Sequence, residues 1–226
     1  MSSWSPAPLL AIEDVGPDLT HLTLDVPAAV AARFHTAGQY HRLRAPSLKE
    51  AVMAIASAPA EHPFEYLVKR AGAGAALLDG ARPGDVFEVS PPEGPGFPLH
   101  LAHGRDLVLV ATGTGFAPMR SVLFAVRKER ARFRKVTALY GVSSQAHLAF
   151  RAELSSFTAE GLVVWPTVSR AEAGWTGRIG RVQEHLADVA LDDAVAFVAG
   201  QPQMVAEVKR VLARRGLGAD RVFLNA

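Results

Sequence analysis

The rhythm of hydrophobic positions changes near the middle of the chain. In "HLTLDV" (21–26) and "VFEVS" (86–90) apolar and polar residues alternate with period two, the pattern of a strand with one face in a core. Short runs of this kind recur as "LTHLTLDV", "QYHRLRA", "AVMAIAS" and "FEYLVKR". Turn chemistry separates them, as in "RPGD" (82–85) and "PPEGPGF" (91–97). Strands of this length and spacing predict a small antiparallel β-barrel over residues 1–102. From residue 103 the apolar runs become continuous: "DLVLVAT", "KVTALYG", "LVVWPTVS" and "AVAFVAG". Between and after them lie helical patterns, "MRSVLFAVRKERA", "AHLAFRAELSSF", "RVQEHLADV" and "QMVAEVKRVLARRG". Strand and helix in alternation predict an α/β domain over 103–226, its parallel sheet covered on both faces.

Composition narrows the function. With 226 residues, 49% hydrophobic and 20% charged, the chain has the make-up of a folded protein. Net charge is +2, and the basic run "RKERARFRK" (127–135) reads as a solvated helix end, so no nucleic-acid partner is expected. The chain has no cysteine, which excludes disulfides, thiolate nucleophiles and a cysteine-held iron–sulfur cluster within it. Its eight histidines lack ligand spacing, so no metal site is expected. The opening "MSSWSPAPLL" lacks a leader pattern and no apolar run reaches spanning length, so a cytoplasmic protein without a membrane partner is expected.

Candidate chemistry centres on "LVLVATGTGFAPMRS". Gly113, Thr114 and Gly115 lie between a buried strand and a helix, where glycines let backbone amides approach a phosphate. Pro118 suits the first helical turn, which needs no amide hydrogen. No Gly-Lys-Ser/Thr follows, and the third glycine of a GxGxxG fingerprint is Pro118, so the turn is neither a Walker loop nor that fingerprint. By itself a lone Gly-x-Gly fits a purely structural tight turn better than a phosphate site. The strand ends "LYGVSS" (139–144), "PTVSR" (166–170) and "VAGQPQM" (198–204) would border the same crevice of a parallel sheet, which favours a nucleotide. Ser169 and Arg170 suit a ribose phosphate or a polar turn, and Gly200 suits a close ring or a tight strand exit.

Together these segments resemble the ferredoxin–NADP reductase-like superfamily. "GTGFAPMRS" is similar to its Gly-Thr-Gly-x-Ala-Pro-x-Arg-Ser loop, and "LYGVSSQAHLAFRAEL" to its Leu-Tyr-Gly segment ending in Arg-x-Glu-Leu. "VSRAEAGWTGRIGRV" resembles its Ser-Arg then Trp-x-Gly stretch. "VAGQPQMV" resembles its Cys-Gly-x-Pro-x-Met motif, with Ala199 at the cysteine. In the front half "AGQY", "GAGAALL", "RPGD" and "PPEGPGF" fall in family order. The resemblance implies an FAD-binding-type barrel followed by a Rossmann-like NAD(P)-binding domain. It also implies a flavin-dependent NAD(P)H oxidoreductase passing electrons to a separate acceptor, protein or small molecule.

On that resemblance the flavin lies against Met53, Ala54, Ile55, Ala56 and Ser57, then Val68, Lys69 and Arg70, then Gly72, Gly74, Ala75 and Ala76. The pyridine nucleotide, NADP or NAD, lies against Gly113, Thr114, Gly115, Pro118, Ser169, Arg170, Gly200, Gln201 and Met204. Arg178 joins Ser169 and Arg170 as a candidate for a 2′-phosphate. No catalytic acid or base is implied, because the cofactor carries the reactivity. The flavin motifs depart from the family: its Arg-x-Tyr-Ser falls on Ala51, Val52, Met53 and Ala54, and its Gly-x-Gly-Ser/Thr on Gly72, Ala73, Gly74 and Ala75. An alternative reading follows from those departures: a nucleotide-binding or interaction module, or a partner-dependent electron-transfer subunit, that has lost flavin redox work.

Overall fold

The computed structural model describes residues 4–47 and 49–225. Its first half contains β1 (Ser5–Gly16), β2 (Leu19–Leu24), α1 (Ala28–Ala31), β3 (Tyr40–Arg44), β4 (Glu50–Ala54), β5 (Phe64–Lys69), α2 (Gly72–Leu78) and β6 (Val86–Val89). The strands form one antiparallel sheet in the order β4-β3-β6-β1-β2-β5. A bridge between Ile55 and Tyr66 brings the two edges together into a barrel. The period-two pattern has its cause here: Leu22, Leu24, Leu43, Phe64, Tyr66, Phe87 and Val89 all point into one core. His41 occupies an inward position of β3, fully buried, where its Nδ1 meets the Tyr66 hydroxyl at 2.7 Å. The longest strand, β1, is absent from the sequence-based prediction. Pro6 and Pro8 cannot donate to a ladder, and β1 changes partner from β6 to β2 along its length.

The second half contains β7 (Asp106–Thr112), α3 (Phe116–Lys128), β8 (Val136–Val142), α4 (Arg151–Ala159), β9 (Val163–Val168), β10 (Arg178–Ile179), β11 (Ala194–Ala199), α5 (Pro202–Arg214) and β12 (Val222–Leu224). All six strands run parallel in the order β10-β9-β8-β7-β11-β12. Along β7, Leu107, Leu109 and Ala111 enter one core while Val108 and Val110 enter the core on the opposite face. Burial on both faces is why its apolar run is unbroken. One expectation changes and one element is new. "RVQEHLADV" makes only a short 3₁₀ turn, Glu184–Asp188, and "RVFLNA" supplies the edge strand β12. In the basic run, Arg127 pairs with Glu160, Lys128 with Glu61, and Arg134 with Asp106 and Asp193, as suits a solvated helix end.

The two sheets are joined by a small apolar cluster, Leu19, Ala56, Leu67, Ala117 and Ala149, and by Arg120. Arg120 is only 3% exposed. Its Nε and Nη2 grip the Glu153 carboxylate at 2.6 and 2.8 Å, and its Nη1 donates to the Ala56 carbonyl at 3.1 Å and to Glu65. The guanidinium also lies over the rings of Phe124 and Phe150, 4.6 and 4.4 Å from their centroids. One cation therefore fastens α3 and α4 to the barrel wall formed by β5 and the end of β4. Among the described residues no helix is long and apolar enough to cross a membrane.

Candidate functional site

β7 ends at Thr112, and the chain turns through Gly113–Gly115 directly into α3. Gly113 has φ +54°, which favours glycine. Gly115 is needed for another reason: a Cβ there would run into the Ala199 carbonyl at the end of β11. Gly200 has φ +147° and packs against the Thr112 hydroxyl and the Met204 methyl. The ends of β7 and β11 thus sit closer than any side chain at these positions would allow.

Two cavities open on this turn. One, of about 520 Å³, lies beyond the carboxyl ends of β7, β8 and β9. Ser143, Ser169, Arg170, Arg181, Gln183, Met204 and Glu207 line it, and the barrel contributes Asp18, Leu19 and Lys69. The other, of about 570 Å³, lies between β4 and the start of α3. Tyr40, Val52, Met53, Ala54 and Leu67 face Gly115, Ala117, Pro118, Ala199, Gly200 and Asn225 across it. Lys69, Thr112, Gly113, Thr114 and Gln201 belong to both walls. The Thr112 Oγ1 is buried there with no hydrogen-bond partner among the described residues. An unpaired buried hydroxyl costs free energy, and this one packs against Gly200.

The structure brings together Met53, Ala54, Lys69, Gly113, Thr114, Gly115, Pro118, Ser169, Arg170, Gly200, Gln201 and Met204 around these two cavities. The other sequence candidates sit elsewhere. Ile55 and Val68 are buried in the barrel core and Ala56 in the apolar cluster between the sheets. Ser57 Oγ accepts the Glu65 amide at 3.0 Å. Arg70 is tied to Asp14 and, at 2.8 Å, to the Thr20 hydroxyl. Gly72, Gly74, Ala75 and Ala76 form the start of α2 and line neither cavity; Gly74 is required because a Cβ would strike the Lys69 carbonyl. Arg178 lies over Trp165, 3.9 Å from its ring centroid, and pairs with Asp188, so it faces away from the cavity. Arg181, three residues on, takes the rim position instead.

Thr112, Tyr40, Gln183 and Glu207 also line these cavities, outside the set of sequence candidates. Thr112 directly precedes the glycine turn and Tyr40 closes "AGQY", so both had a local signal; Gln183 and Glu207 had none. Electrostatically the shared wall is close to balanced. Lys69 Nζ lies 3.5 Å from Asp18, whose other neighbour, His147 Nε2, lies 3.9 Å away and is bonded through Nδ1 to Ser144 at 3.1 Å.

Comparison with known proteins agrees with this architecture. The family model described as an oxidoreductase NAD-binding domain matches residues 109–210. Ferredoxin–NADP reductase B of Sorangium cellulosum is 32% identical, over 97% of this chain and 95% of its own. Sulfhydrogenase 1 subunit gamma of Pyrococcus furiosus is 28% identical over 83% of this chain, which spans 66% of that subunit. Among solved structures, a ferredoxin NADP+ reductase from Neisseria gonorrhoeae superposes with TM-score 0.86 at 22% identity, covering 99% of this chain and 98% of that one. A cytochrome P450 reductase from Amycolatopsis gives 0.85 at 24%, covering 100% of this chain and 70% of that one. A six-stranded antiparallel barrel, a six-stranded parallel sheet and a full-length relative of this identity lead to one assignment: the chain belongs to the ferredoxin–NADP reductase-like family of oxidoreductases.

Proposed function

We propose that the chain is a flavin-dependent NAD(P)H oxidoreductase, with FAD in the cavity beside β4 and the pyridine nucleotide in the cavity beyond β8 and β9. The observation that carries this reading is the junction of the two cavities at the end of β7, where Thr112, Gly113 and Thr114 line both. The gonococcal reductase of the same fold has bound FAD and NADP. The residues present fit a flat ring: Met53, Ala54, Ala117 and Pro118 offer small or polarizable apolar surface, and Tyr40 offers an aromatic edge. Lys69 would counter phosphate charge, and Ser169, Arg170 and Arg181 lie where a nucleotide phosphate would be recognised.

FAD, when bound, supplies a two-electron acceptor for the hydride of NADH or NADPH. The protein's part is placement. The glycine turn gives the nicotinamide end close access to backbone at the junction of the two cavities. No side chain here is needed as acid or base. Within this chain no cysteine-ligated cluster takes the electrons onward, since it has no cysteine.

A second reading, a nucleotide-binding module without flavin, is favoured by one feature. Ala54 brings no hydroxyl and Ala199 no thiol to their positions on the barrel-side cavity, while Arg70 is committed to Asp14. The absorbance of purified protein, before and after adding FAD, separates the two. Flavin absorbance that anaerobic NADPH or NADH bleaches is expected. A colourless protein that takes up no FAD overturns the first reading and leaves the second.

A further inference from the structure

On the wall of the nucleotide cavity three side chains form a polar cluster used by nothing above. Glu207, on α5, receives the Nε2–H of Gln183 on one oxygen and that of Gln203, at 3.0 Å, on the other. Arg181 lies 3.9 Å from the first of these oxygens, and all four residues line the cavity. Val182 and Met204, beside Gln183 and Gln203 in the chain, are buried in one core cluster, which holds both glutamines at the rim.

A carboxylate only accepts hydrogen bonds, so it decides which way each carboxamide turns. With Nε2 given to Glu207, Gln183 has its Oε1 left over, and that oxygen has no partner among the described residues. A flipped Gln183 would set carbonyl oxygen against carboxylate oxygen, two acceptors without a proton between them. Glu207 therefore fixes Gln183, a residue of the cavity wall, with its acceptor oxygen unused. Of the purine edges, adenine carries an amino donor at the position where hypoxanthine and guanine carry an oxygen.

We propose that Glu207 is a positioning residue that makes this cavity selective for adenine, by holding Gln183 with its carbonyl oxygen free to accept the exocyclic amine. The proposal rests on the reading of this cavity as the nucleotide site and adds what selects the base. A site with a fixed acceptor rejects a 6-oxo purine because two acceptors would then be buried face to face.

The test is calorimetric titration of the full chain with NADP+ and NAD+ and with their hypoxanthine counterparts, which needs neither flavin nor turnover. The wild type is expected to bind the adenine form at least fivefold more tightly. Glu207→Gln offers donor and acceptor alike, frees Gln183 to turn, and is expected to bring the ratio close to one. Glu207→Asp keeps an acceptor-only group and is expected to restore most of the discrimination, which a merely structural role for the side chain would not predict. Gln183→Leu should weaken the adenine form and leave the hypoxanthine form nearly unchanged. A wild-type ratio below fivefold overturns the proposal even if Glu207→Gln does not fold, as does a ratio that Glu207→Gln leaves intact. Those results leave the oxidoreductase reading standing. Failure of the wild type to bind any of the dinucleotides removes both.

Discussion

Replacing Arg120 by methionine keeps an unbranched apolar stem between Phe124 and Phe150 and removes the guanidinium that joins the two sheets. What remains is the Glu65 and Glu153 carboxylates facing one vacated position, with the Ala56 carbonyl unpaired. Breaking a buried ion pair from one side costs about 3–5 kcal/mol. The two carboxylates keep 25% and 32% of their side-chain surface in contact with water, which moves the expectation to the lower end, about 3 kcal/mol. For a chain of this size that corresponds to a fall in Tm of about 6–12 °C. The assay is thermal and urea unfolding of Arg120→Met beside the triple variant that adds Glu65→Gln and Glu153→Gln. If stranded charge is the cause, the triple variant recovers at least half of the loss, because replacing a whole buried ionic group is often nearly neutral. A single variant that melts within about 2 °C of the wild type would show that the guanidinium does not hold the interface.

Three further outcomes are expected. Acid should destabilise the fold in two stages. Burial holds His41 down to about 4 against the opposing charge of Glu93, so its contribution is complete above 6.5 and lost as pH falls to about 4. Burial alone would raise the Glu65 carboxyl, but the His21 ring and the Arg120 guanidinium outweigh it and hold the group at about 2, so its contribution is complete above 4.5 and lost towards pH 2. Urea midpoints unchanged between pH 7 and pH 4 would contradict the upper stage, which His41→Asn should abolish. Gly115→Ala should lower dinucleotide affinity at least about tenfold, since its Cβ strikes the Ala199 carbonyl, whereas Gly113→Ala meets open space and adds only backbone strain of about 1–3 kcal/mol; equal losses in titration would refute the distinction. Arg170→Met should weaken NADPH binding more than NADH binding, while Arg178→Met, stacked on Trp165 away from the cavity, should lower Tm and leave both affinities alone. A large affinity loss in Arg178→Met would return that residue to the site.

Much of this architecture is legible in the sequence because burial imposes a period. Strands with one buried face alternate, and strands buried on both faces, such as β7 and β11, do not. Elements without room for a period escape. β12 has three residues, β1 is masked by its prolines, and the segment around Glu184–Asp188 curls too tightly for an α-helix. The glycine turn is legible for a local reason, since positive φ at Gly113 and close approach at Gly115 each demand the residue found there. The outer part of the site is not local. Gln183 and Glu207 meet across 24 positions, and Arg178 and Arg181 present the same chemistry three residues apart with only the fold to distinguish them.

The order of the two halves along the chain has a consequence for synthesis. A ribosome releases the barrel first, and domains generally fold as they emerge. At that stage Glu65 and the Ala56 carbonyl have only water for partners on that side, because Arg120 lies 55 and 64 residues further on. Glu153, which fixes the other side of the guanidinium, comes 33 residues later still. The seam between the halves, and with it the mouth shared by both cavities, therefore cannot close until the second half has been made. A nascent barrel carries an open acidic notch until the second half arrives to fill it.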